Sequence, residues 1–226
     1  MRLTEELSVR LLQTVMLTAL LALSPTAIGG TAVTTQEVVS AVESTYKDVQ
    51  SLQGSFVQVT RNEFGETRQQ GSVQLKRPRK MRWDFTQPVA SSFITDGSKL
   101  WVWAPADNQV IVTEDLSGAA SGSDMSQFLT DLSKLGELFN VEQAAQTEGA
   151  SSYTLQLTPK TDTNFKSLQI QVSHEDYTLQ RVVMVDAFDA VVELDFSAVT
   201  INPEIPDARF SFTAPEGATV IKTDGI

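Results

Sequence analysis

The sequence predicts a mainly β protein: a curved antiparallel sheet of about eleven strands, its concave side covered by amphipathic helices. Three observations carry that expectation. Segments of alternating apolar and polar residues recur from residue 55 onward, and the short polar turns between them make an antiparallel meander. Helical periodicity is confined to two stretches, near residues 35–52 and 125–139. So much sheet does not stay in one flat layer; it curls, and the helices bury its apolar side.

The chain opens with Arg2 and Arg10, runs through an apolar stretch from Leu11 to Leu23, and reaches small residues at Ala27, Gly29, Gly30 and Ala32. This is the pattern of a secretory signal peptide, with Glu5 and Glu6 as unusual additions, and the apolar run is short for a permanent transmembrane helix. The expected division is a signal peptide over 1–29 and a single domain over 30–226, on the far side of the membrane. Thr34 and Glu37 form a capping-box pattern, followed by Val38, Val39, Val42, Tyr46 and Val49 at helical spacing, which predicts a helix over 35 to about 52. Gly54 breaks it. Strands are then expected over 55–61, 67–77, 79–86, 89–95, 99–103 and 109–114, with Asp96-Gly97 and residues 105–108 as turns. A small-residue linker at 117–123 precedes the second helix, whose face is Met125, Phe128, Leu129, Leu132, Leu135 and Phe139. The β pattern resumes over 153–157, 165–173, 178–185 and 191–201, with a last pair near Phe210 and Val220.

Composition narrows the function. Removing residues 1–29 takes two basic and two acidic residues from totals of 17 and 28, leaving 15 against 26 and a net charge of −11. A chain this acidic is unsuited to nucleic acid or to anionic membranes in bulk. With no cysteine there is no disulfide, no thiol chemistry and no lipid-acceptor cysteine. His174 is the lone histidine, in the polar turn His174-Glu175-Asp176, so the usual zinc sites are excluded. Neither a nucleophile elbow nor a phosphate loop is present, and no cofactor is expected. The residue inventory favours a protein that is not an enzyme, although a carboxylate pair meeting in space stays open.

The least ordinary segment is Leu75-Lys76-Arg77-Pro78-Arg79-Lys80-Met81-Arg82-Trp83-Asp84-Phe85, five basic residues among large apolar ones. Strand alternation puts Val73, Leu75, Arg77, Arg79, Met81, Trp83 and Phe85 on one face unless Pro78 forces a break. Arg77 is then either part of a solvated basic turn or an arginine at the mouth of an apolar cavity, where its donors need carbonyls or carboxylates. The run as a whole reads as a basic patch suited to an acidic partner or headgroup. Trp83, Trp101 and Trp103 fall on nearby strands; with Met81, Phe85, Phe93, Phe128 and Leu132 they make either ordinary core or the lining of a hollow.

The pieces Gly71-Ser72-Val73-Gln74-Leu75-Lys76-Arg77-Pro78, Arg82-Trp83-Asp84-Phe85, Gln87-Pro88, Asp96-Gly97, Leu100-Trp101-Val102-Trp103, Leu155-Gln156-Leu157-Thr158-Pro159-Lys160 and Phe210-Ser211-Phe212-Thr213-Ala214-Pro215 occur in an order that resembles the periplasmic outer-membrane lipoprotein carrier (LolA) family, over about 35–220. Met81 departs from the bulky aromatic often found there. The resemblance implies a curved, incomplete antiparallel β-barrel, a half-barrel, with a helical lid, whose apolar cavity takes the acyl chains of lipoproteins. Arg77 matches the family's lid-holding arginine, and Leu75, Met81, Trp83, Phe85, Trp101, Phe128, Leu129 and Leu132 are the implied lining. The implied partners are an inner-membrane ABC transporter that releases lipoproteins and an outer-membrane acceptor, with the carrier a monomer in the periplasm. The competing expectation is a periplasmic sensor of lipids or lipoproteins on the same scaffold.

Overall fold

The computed structural model describes residues 33–114, 116, 128–129, 132–145, 149–161, 163 and 165–223, and Val33–Ile226 forms a compact unit of its own. The expected signal peptide and Met125 lie outside the described residues.

Helix α1 (Thr35–Tyr46) starts where its capping box places it: the Glu37 N–H donates to the Thr34 hydroxyl and the Thr34 N–H donates to the Glu37 carboxylate at 2.8 Å. Those bonds satisfy donors that a helix start otherwise leaves open, and they hold the Glu37 carboxyl below its ordinary range. Val38, Val39, Val42 and Tyr46 form its buried face. The helix ends at Tyr46, short of the expected Leu52, because Leu52 is claimed by the sheet, paired with Leu75 on one side and Ile201 on the other. The Asn202 side chain completes the break by accepting the Gln50 N–H at 2.7 Å. Sheet pairing here overrides a local helical period.

The strands among the described residues are β1 (Ser51–Asn62), β2 (Gly65–Lys76), β3 (Lys80–Gln87), β4 (Ser91–Thr95), β5 (Leu100–Ala104), β6 (Gln109–Thr113), β7 (Phe139–Gln143), β8 (Ser152–Pro159), β9 (Phe165–Ser173), β10 (Leu179–Asp186), β11 (Val191–Ile201) and β12 (Thr219–Thr223). They form one sheet of 12 strands in the order β12-β6-β5-β4-β3-β2-β1-β11-β10-β9-β8-β7, so the two edge strands are not joined and the barrel stays open. Neighbours are antiparallel except β12, which runs parallel to β6.

Curvature follows from what the helix touches. From β3 to β8 is six strand spacings, about 29 Å in a flat sheet, against a helix about 10–12 Å across. Yet Trp83 of β3 and Leu155 and Leu157 of β8 belong with Val38, Val42 and Tyr46 to one apolar cluster. The sheet must wrap around α1 to achieve that.

Two further expectations change. The second helix breaks up: Phe128 and Leu129 are helical, Leu132–Lys134 is a 3-10 turn, α2 (Leu135–Leu138) is a single turn, and Phe139 opens β7. Phe139 leaves the helix because β7 pairs with β8, Phe139 facing Pro159. Phe210 lies in the 3-10 turn Asp207–Phe210 rather than in a strand, fully buried.

Candidate functional site

The β2–β3 hairpin is symmetric about the turn at Arg77, Pro78 and Arg79. Lys76 faces Lys80, Leu75 faces Met81, Val73 faces Trp83 and Gly71 faces Phe85. Directly paired residues share a side of the sheet, so Leu75, Met81, Trp83 and Phe85 are brought together on the face that α1 covers. Leu75 and Trp83 are buried there; Met81 and Phe85 are partly so.

Gly71 shapes this face. It lies between Phe56 on β1 and Phe85 on β3, and the two rings meet edge to face at 5.1 Å. A β-carbon at Gly71 would stand 1.9 Å from the Asp84 carbonyl oxygen, so only glycine permits this strand approach. Phe56 also packs on Trp83 at 4.6 Å, and Trp83 on Phe196 at 6.4 Å. Phe56 and Phe196 were missing from the sequence-derived lining, although Phe56 stands in an alternating segment that could have supplied it.

Phe128, Leu129, Leu132 and Leu135 join the same cluster from above. Their segment is held to α1 through Gly136, whose N–H donates to the Glu43 carboxylate at 2.9 Å and whose carbonyl accepts from the Lys160 ammonium at 2.6 Å. These segments bury the inner face, where Leu75, Trp83, Phe128, Leu129 and Leu132 are all buried, and the recess at its rim lined by Leu52, Leu75, Arg77 and Leu129 has a volume of about 10 Å³, scarcely room for one water.

Arg77 is a turn residue, not a strand residue, and its guanidinium reaches the end of α1. One terminal nitrogen donates to the Tyr46 carbonyl and the other to the Lys47 carbonyl, each at 3.4 Å. Its backbone N–H donates to the Gln50 carbonyl at 2.8 Å. Tyr46 is pinned in turn through its hydroxyl, which accepts the Leu179 N–H at 2.9 Å, and burial pushes that phenol up to about 12.

Trp101 does not share this face. Trp101 pairs with Ile94, and Ile94 with Arg82, which puts it on the same side as Arg82 and opposite Trp83. Trp103 follows it there and meets Phe212 at 6.0 Å. The basic run is also not a free patch. Lys76 and Lys80 both bind the Asp207 carboxylate, at 2.6 and 2.7 Å, and Arg82 pairs with Asp84 at 2.6 Å and donates to the Arg209 carbonyl. Arg79 donates to the Leu116 carbonyl at 3.2 Å. The expected headgroup patch is a set of internal ties, most of which fasten the segment around Asp207 to the outer face.

His174 packs against Tyr153 with ring centres 4.0 Å apart and the rings tilted by 46°, and among the described residues no group of three His, Cys, Asp or Glu side chains converges on a metal position. What the arrangement offers chemically is apolar surface, aromatic edges and two helical segments resting on them.

The sequence pattern of the family described as outer membrane lipoprotein carrier protein LolA matches residues 47–213. Among similar proteins, an outer-membrane lipoprotein carrier protein of Dechloromonas aromatica is 31% identical over 178 residues, 77% of this chain and 83% of that one. One from Bordetella avium is 32% identical over 177 residues, 77% of this chain and 82% of its own. Among solved structures, an uncharacterized conserved protein from Thermus thermophilus superposes with a TM-score of 0.52 at 15% identity, covering 83% of this chain and 98% of its own, a likeness of fold. With most of the chain matched and relatives above 30% identity over more than two thirds of it, this protein belongs to the outer membrane lipoprotein carrier protein LolA family.

Proposed function

We propose that this protein is a periplasmic carrier that holds the acyl chains of lipoproteins between its helices and the inner face of its sheet. In this reading residues 1–29 are the removed signal peptide, an inner-membrane ABC transporter supplies the cargo, an outer-membrane acceptor receives it, and the carrier works as a monomer. Family membership supports the cargo class. The need is physical: at about 0.8 kcal/mol per buried CH₂, an acyl chain of about 15 such groups resists water by roughly 12 kcal/mol.

The observation that carries the reading is the pair of long bonds from Arg77 to the last carbonyls of α1 over an inner face whose apolar side chains are buried beneath the helical segments. Close-packed side chains do not admit an acyl chain without moving. Cargo therefore enters by displacing α1 and the 128–139 segment, breaking the Arg77 bonds, and leaves as they re-form. Leu75, Met81, Trp83, Phe85, Phe128, Leu129 and Leu132 line the emptied space, with Phe56 and Phe196 beside them. Met81 suits a lining that repacks, being unbranched and flexible. The test is a two-step transfer with purified protein. Lipoprotein released from inner-membrane vesicles should become soluble only with the carrier, and should then pass to outer-membrane vesicles. Release into solution without the carrier, or no soluble complex with it, sinks the proposal.

A further inference from the structure

Two neighbouring hairpin tips carry large apolar side chains in open solvent: Phe64 is 89% exposed and Phe188 90%. Arg61, near the end of β1, lies opposite Val191, at the start of β11, so the β1–β2 and β10–β11 turns project side by side from one end of the sheet. That end is opposite the Arg77 turn. The tips are built alike. The Phe64 N–H donates to the Asn62 side chain at 2.9 Å, and the Phe188 N–H to the Asp186 carboxylate at 2.8 Å. The residue after each phenylalanine has a positive φ, 132° at Gly65 and 66° at Asp189. The β3–β4 turn at the same end adds Val89, 58% exposed. Neither phenylalanine takes part in the apolar core, so packing does not account for them.

We propose that this end of the sheet seats on a zwitterionic lipid surface, with Phe64 and Phe188 inserted at the headgroup boundary. Separate projecting tips offer a protein partner little of the continuous area a stable interface needs. A fluid headgroup layer closes around each tip independently, and aromatic rings settle at that depth. The basic side chains between the tips are tied to neighbouring acids: Arg61 to Glu66 and Glu193, Lys166 to Asp189. Glu63 and Asp186 carry the remaining negative charge at the tips, against Arg68 farther down β2, on a chain of net charge −11, so anionic headgroups repel them. The lipid preference is thus the reverse of that of a protein with a basic patch. This inference goes beyond the carrier reading and stands whatever the cargo is.

The experiment is vesicle flotation of residues 33–226, the compact unit freed of the apolar N-terminal stretch, which would bind lipid by itself. With phosphatidylethanolamine–phosphatidylcholine vesicles the protein should co-float, and Phe64→Ser with Phe188→Ser should lower the bound fraction about tenfold at unchanged melting temperature. Replacing part of the lipid by phosphatidylglycerol should weaken binding, and Phe188→Trp should show blue-shifted emission on adding vesicles. Equal flotation of the double variant, no flotation of the parent, or binding only to anionic vesicles would overturn the proposal. So would loss of lipoprotein delivery in the double variant without any vesicle binding by the parent, which would assign the tips to a protein partner.

Discussion

The Arg77 guanidinium and the Tyr46 carbonyl meet at 3.4 Å where α1 ends. Tyr46 is held from two sides, since its hydroxyl accepts the Leu179 N–H of β10 while its carbonyl accepts from the β2–β3 turn. The last carbonyls of a helix have no intrahelical donors and lie at the negative end of its dipole, so a guanidinium is well placed there. A single residue thereby ties α1 to both flanks of the curved sheet.

Arg77→Leu should fold, take up cargo at least as well as the parent, and deliver it poorly. Bonds of 3.4 Å lie at the long end of the range, so a loss near the low end for charged groups is expected, about 1.5 kcal/mol or roughly tenfold in the transfer equilibrium. Uptake and delivery scored separately are the measurement. Normal delivery, or equal impairment by Lys80→Leu, would reduce Arg77 to one tie among several.

Tyr46→Phe removes the acceptor for a buried N–H and should cost about 1–3 kcal/mol in urea unfolding. Burial raises the Tyr46 phenol to about 12. Its folded state therefore holds the proton more firmly than the unfolded chain. The resulting stabilisation, about 3 kcal/mol, is fully present below about pH 10 and is lost as pH rises towards about 12. Parent and Tyr46→Phe curves should converge across that window. Parallel curves would exclude the linkage.

Gly71→Ala should destabilise by about 3 kcal/mol or more, because its β-carbon would overlap the Asp84 carbonyl at 1.9 Å and force β2 from β3. Gly149→Ala is the control. It meets only open space at a φ of 79° and should cost about 1 kcal/mol for its backbone conformation alone. Similar melting temperatures for the two would show that β2 and β3 separate freely.

Asp207→Asn should loosen the outer-face segment. The ammonium groups of Lys76 and Lys80 bring the Asp207 carboxyl down to about 2, so the tie is present above the ordinary carboxylate range and fades as pH falls through that value. Amide exchange around Ile205 and Phe210 should quicken in the variant at neutral pH, and in the parent only in strong acid. Unchanged exchange would mean that apolar burial alone holds the segment.

The start of α1, the bounds of β9 and β11, and the shared face of Leu75, Met81, Trp83 and Phe85 were legible in the sequence. Each rests on a local rule: a capping box, a two-residue period, a hairpin symmetric about its turn. The family pattern was legible for the same reason, as residue types in order along the chain. Other features were settled only by tertiary structure. Trp101 fell on the opposite face because a one-residue difference in register reverses every side chain of a strand, and that register is set between strands. Lys76 and Lys80 read as a free patch because their acid, Asp207, lies more than a hundred residues away. The end of α1 and the start of β7 depended on which neighbours claimed Leu52 and Phe139. Whether the aromatic face is open or covered depended on where Phe128, Leu129 and Leu132 come to rest, since apolar attraction follows contact area and leaves no spacing rule in the sequence to say which surfaces will meet.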